Sequence, residues 1–205
     1  MFKNKVKPSS IYNTFNIEYI LNNTDDELLI QFININIDKI DITKKYSNKD
    51  TIFHILSNRG LDDIILILLK QNLKNFNLID VLNQFNNDNE SALHEAASYG
   101  YVDICKSFVN FGADINITNT AKNTPIHYAI MNGHQDVVEY FIENNCNLQI
   151  ENINGLTPYK LMFKYMKNTI DKLLDKKIKI VARVSSKYKK NVELVEKKDI
   201  IEEIN

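Results

Sequence analysis

The chain has 205 residues, 44% of them hydrophobic, and a formal net charge of −1. That length suits one or two domains with a real core, and the balanced charge argues against a surface built as a whole for nucleic acid or anionic membrane. The longest apolar run, residues 64–69, is far short of the ~20 residues that span a bilayer, and two cysteines with no apolar leader segment point to free thiols in a reducing compartment, cytoplasmic or nuclear, in a host cell if not its own.

Asn and Ile each supply about one residue in seven, the imprint expected of an AT-rich genome. The Asn residues are scattered through periodic segments, so they mark turns and not a low-complexity tract. Asn145 is expected to take the left-handed role that Gly112 plays one period earlier.

Residues 1–9 carry Lys3, Lys5, Lys7 and Pro8 with little apolar pattern and read as a disordered basic arm. Ile11, Phe15 and Tyr19 then fall at helical spacing, and Thr24-Asp25-Asp26-Glu27 has the form of a capping box opening a second helix through Leu28, Leu29, Phe32 and Ile33. Thr51-Ile52-Phe53-His54 opens the next helix and Gly60 closes it six residues after the His. Asp62 and Asp63 then sit at the positive end of a following helix, residues 62–69.

The spacing from His54 to His94 is 40 residues, but from His94 to His127 it is 33. About seven extra residues therefore lie within 73–85, where Phe76, Leu78, Ile79, Val81 and Leu82 predict a short helical turn packed on the stack. Insertions of this kind tend to fall on a binding side. The stretch Ser91-Ala92-Leu93-His94-Glu95-Ala96 through Gly100 is matched one period later by Thr124-Pro125-Ile126-His127-Tyr128-Ala129 through Gly133. Second helices follow over 102–109 and 135–142. Asn154-Gly155-Leu156-Thr157-Pro158 opens once more, with Lys160 at the His position and Met166 at the Gly position.

A 33-residue period with a T-P-L-H-x-A core and a G-A-D-x-N exit, here Gly112-Ala113-Asp114-Ile115-Asn116, resembles the ankyrin-repeat family. The resemblance implies an all-α ankyrin solenoid of helix-turn-helix repeats with β-hairpin-like fingers. In that register residues 10–47 are a degenerate N-terminal capping repeat, residues 48–87 a repeat with an insertion, 88–120 and 121–153 two full repeats, and 154–175 a degenerate cap within a repeat region spanning 48–170. Residues 176–205 are a short charged C-terminal extension. Within residues 171–190 eight Lys or Arg face two Asp, a local charge of +6, and alternation over 178–184 is strand-like, although a charged helical tail fits as well.

Four histidines invite a metal or catalytic reading, but His54, His94 and His127 recur one period apart. Stacked repeats cannot bring them to one ion within the ~2.1 Å of a zinc ligand. The resemblance instead implies that Thr51 and His54, Ser91 and His94, and Thr124 and His127 are structural pairs, with Gly60, Gly100 and Gly133 closing the first helices and His134 fitting a Gly-His turn. Phosphate-binding, nucleophile-elbow and zinc-protease motifs are absent from the sequence, so neither catalysis, metal nor cofactor is expected.

The expected function is non-catalytic protein binding on a concave surface, as an inhibitor, assembly chaperone or adaptor. Register transfer assigns Asp50, Asp88, Glu90, Asn123 and Asn154 on the fingers, and Arg59, Ser98, Tyr99, Met131, Asn132 and Tyr165 on the first helices. Arg and Tyr are the types that most often dominate interfaces. The acidic early fingers favour a partner protein with a basic segment, bound by a protein that is itself a monomer. The alternative reading makes the solenoid a platform whose basic C-terminal segment binds nucleic acid or an anionic membrane surface.

Overall fold

The computed structural model describes residues 20–21, 24–72 and 78–166. The basic arm, most of the helix expected over 11–20, and the charged extension with its strand-like alternation lie outside the described residues.

Four first helices begin the same way: α2 (Ile52–Arg59), α5 (Ala92–Tyr99), α7 (Pro125–Met131) and α9 (Pro158–Tyr165). Each follows a buried Thr or Ser in extended conformation, respectively Thr51, Ser91, Thr124 and Thr157, as an N-cap requires. Proline at the first helical position of α7 and α9 removes an N–H that would have no partner there. The second helices are α3 (Asp62–Asn72), α6 (Val102–Asn110) and α8 (Gln135–Glu143), each with an Asp in its first turn against the positive end of the macrodipole.

The first helices pack side by side in chain order, and α3, α6 and α8 form a second layer behind them. Between the layers runs a continuous core in which Leu56, Ile65, Leu68, Leu93, Cys105, Ile130, Val138 and Phe141 are fully buried. Phe53 and Phe108 meet edge to face at 5.8 Å, tying α2 to α6 across the repeat boundary. Both thiols are packing residues. Burial raises Cys105 far above the ordinary thiol range and pushes Cys146 up to about 12, so neither is reactive near neutral pH.

One expectation needs correction. Helix α1 (Asp26–Asn36) does not begin with a capping box at Thr24. Asp25 is the N-cap, its carboxylate accepting from Leu28 N at 2.9 Å, while the Thr24 hydroxyl donates back to Ile20 O at 2.7 Å. A hydroxyl spent on the preceding turn leaves the cap to the stronger, charged acceptor. The insertion does form a short helix, α4 (Leu78–Leu82), with Leu78, Val81 and Leu82 buried. Its contacts are with the exit of α6, where Ile79 lies against Gly112 and Asn83 Oδ1 accepts from Asp114 N at 2.9 Å. It buttresses the second-helix layer, the packing on the stack that its apolar residues predict.

Candidate functional site: the concave face

No strand occurs among the described residues, and each finger is a single five-residue turn. In residues 46–50, 86–90, 119–123 and 152–156 the first N–H donates to the fifth carbonyl, at 2.8, 3.1, 3.0 and 3.0 Å. The fourth residue is left-handed in every finger: Lys49, Asn89, Lys122 and Gly155, with φ between 56° and 68°. This is the tight-turn geometry that brings a hairpin back on itself without a strand ladder.

Three of the four fingers open with a buried asparagine that the family register does not single out. The Oδ1 of Asn86 accepts from Asp88 N and Glu90 N, that of Asn119 from Asn123 N, and that of Asn152 from Asn154 N and Leu156 N, at 2.9–3.1 Å. Each amide group then reaches back one finger, Asn86 to Asp50, Asn119 to Glu90 and Asn152 to Asn123, at 3.0, 2.7 and 2.9 Å. The fingers are thus locked in register by an asparagine ladder, which holds the side chains of Asp50, Glu90 and Asn123 from within. Asn119→Ala should cost about 1–2 kcal/mol, because buried groups on two fingers lose partners. Urea unfolding measures it, and an unchanged midpoint would show the ladder contributes nothing.

Histidine forms the second register device. Nε2 of His54, His94 and His127 lies 2.9, 3.0 and 3.1 Å from the carbonyls of Glu90, Asn123 and Leu156, each the last residue of the next finger. Facing a carbonyl, Nε2 must carry the proton, which leaves Nδ1 to accept from the N–H of Thr51, Ser91 and Thr124. Each ring must therefore be neutral. Burial lowers all three below the ordinary histidine value, His94 to about 4. Glu90 Oε2 approaches His94 Nδ1 at 3.7 Å, but a neutral ring accepting at that nitrogen makes no ion pair. His134 plays another part, its Nε2 lying 2.8 Å from Ser98 O.

Ahead of these devices lies the open face of the first helices. A cavity of about 300 Å³ sits at its N-terminal end, lined by Leu21, Thr24, Asp50, His54, Ile55, Asn58, Arg59 and Glu95. Burial, then the neighbouring charges of Asp50, Glu90 and Asp88, raises Glu95 to about 7. Glu90 is also raised, chiefly by burial, although Tyr128 and Asn119 donate to it. Tyr128 in turn is pushed up to about 12 by burial and by that carboxylate.

The expected binding residues fall into two groups. Arg59 is spent inside the molecule: its guanidinium donates to Asp26 at 2.8 Å and to the carbonyls of Leu21 and Thr24 at 3.0 and 2.9 Å. Asn132 bonds Ser98, and Asp88 accepts from Asn48 of the preceding finger. The second group presents open surface. Tyr99 is 48% exposed, its ring stacked on Tyr101 and its hydroxyl accepting from Asn58 at 3.1 Å, while Met131 is 43% and Tyr165 55% exposed. Asn154 is exposed at the last finger. Glu95, which completes the acidic end, has no signal in the repeat pattern, whereas the ladder asparagines recur five residues before the caps Ser91, Thr124 and Thr157.

Among the described residues no group of three or more His, Cys, Asp or Glu is arranged to hold a metal, and no helix is long and apolar enough to cross a membrane. A stack of helix pairs with stapled turns and one open face of first helices defines a repeat solenoid. Family models for ankyrin repeats (three copies) match residues 17–119 and 93–184, and the chain belongs to the ankyrin-repeat family. Ankyrin repeats are in general protein–protein interaction modules and typically non-catalytic. No curated relative matches the chain.

Proposed function

We propose that this protein binds a partner protein across its finger turns and first helices, acting without catalysis as an inhibitor, assembly chaperone or adaptor. The observation that supports this reading most is the contrast between the two sides of the first helices. Their inner side is locked by histidine and asparagine bridges, while their open side leaves Tyr99, Met131 and Tyr165 about half exposed on successive helices. A rigid backbone under exposed aromatic anchors loses little entropy on binding.

Tyr99 is the central anchor, because α5 lies between α2 and α7. Tyr99→Ala is expected to weaken partner binding about 30-fold, as for loss of a desolvated aromatic worth ~2 kcal/mol. The partner is captured by crosslinking from the native cell and its affinity measured for each variant. Lys106→Ala on the second-helix layer, where the side chain pairs with the exposed Asp103, should leave affinity unchanged. If Lys106→Ala abolishes binding and Tyr99→Ala does not, the concave assignment fails.

A further inference from the structure

The open face is not uniform along its length. At the α2 end, Asp50 and Glu95 line the cavity, and Asp88 and Glu90 add charge nearby. None of these four makes an ion pair with a Lys or Arg among the described residues. Arg59, the only Lys or Arg lining the cavity among the described residues, has its donors turned toward Asp26 and two carbonyls. Two carboxylates facing one cavity without a Lys or Arg counter-ion attract a cation, which would pair with them in place of a proton. Further along, the face turns apolar at Tyr99 and Met131. It ends at α9, where Lys160 is tied to Glu151 and Lys164 sits over the Tyr165 ring at 4.9 Å. The face therefore runs from acidic at the cavity to apolar at Tyr99 and Met131.

This gradient deepens the concave-face reading and rests on it. We infer that the groove takes an extended peptide segment of a partner protein, cationic at one end and apolar at the other. A lysine or arginine side chain is seated at Asp50 and Glu95, and apolar side chains lie across Tyr99 and Met131. A cavity of about 300 Å³ is at the small end of ligand sites, suited to one long side chain and not to a cofactor. The cavity carboxylates lie at one end of the face only, which sets the direction in which the segment binds.

The test uses the full chain and random dodecapeptides displayed on phage. Enriched peptides should carry Lys or Arg at one end and apolar residues at the other. Glu95→Gln should lower the affinity of an enriched peptide about tenfold and reduce its salt dependence, and Met131→Ser should lower affinity while leaving the salt dependence unchanged. Circular dichroism on both variants separates these losses from unfolding. If no peptide is enriched, if those enriched lack a basic end, or if Glu95→Gln binds like wild type, the inference is overturned. Enrichment of purely apolar peptides that Tyr99→Ala releases would sink this inference alone, whereas peptides indifferent to both Glu95→Gln and Tyr99→Ala would sink the concave-face reading with it.

Discussion

Acidification is expected to destabilise this fold by about 3 kcal/mol through His94 alone as pH falls from neutral to near 4. The folded ring is held neutral, with Nε2 donating to Asn123 O and Nδ1 accepting from Ser91 N. In the unfolded chain the same ring titrates near 6.5. Between those values the unfolded state binds more protons than the folded one, so stability falls with falling pH and is fully present only above the unfolded pKa. His54 and His127 contribute in the same direction.

Glu95 acts with the opposite sign. Its folded carboxyl titrates near 7, above the 4.5 of an unperturbed Glu, so the folded state takes up the proton first and gains stability as pH falls through that window. Solvent screening of a partly exposed group makes this offset smaller than the histidine loss. The wild-type profile should therefore be shallow from neutral pH to about 5 and steep below, and Glu95→Gln should steepen its upper part. Urea unfolding at a series of pH values reads both. A His94→Ala variant with the same acid slope as wild type would show that this ring does not carry the effect.

What was legible in the sequence was whatever repeats. The hydroxyl, histidine and glycine positions recur at fixed intervals because each performs the same local task, and these sites needed no knowledge of neighbours. The N-cap of α1 lies one residue past the expected position because Thr24 and Asp25 are both good caps, and only the Thr24 bond to Ile20 O decides between them. Arg59 illustrates the deeper limit. Its register matches Tyr99 and Tyr165, but it faces the segment before α2, where Asp26 and the carbonyls of Leu21 and Thr24 lie at the right place. Glu90 likewise reads as a partner-binding finger acid, and the structure spends its Oε1 on Asn119 and Tyr128 from the next repeat. A residue's availability to a partner depends on cross-repeat neighbours that the period does not encode.

Glycine shows the same dependence in a form that stability measurements can resolve. Gly100 and Gly133 occupy equivalent turns with nearly equal backbone angles, φ +80° and +79°. On backbone strain alone, an alanine at either site costs about 1 kcal/mol. Their surroundings differ. The next repeat lays the His134 ring over Gly100, so an added Cβ would come within 2.7 Å of Cγ, while the Cβ at Gly133 meets nothing within 4 Å among the described residues. Gly100→Ala must therefore displace His134 and break its bond to Ser98 O as well as strain the turn. The expected total is about 3 kcal/mol, against ~1 for Gly133→Ala. A Gly100→Ala, His134→Ala double variant should lose less than the sum of its single losses, because the smaller side chain removes the collision. Equal losses for the two single glycine variants would mean that the ring does not press on Gly100. A strictly additive double variant would place the cost in the backbone alone.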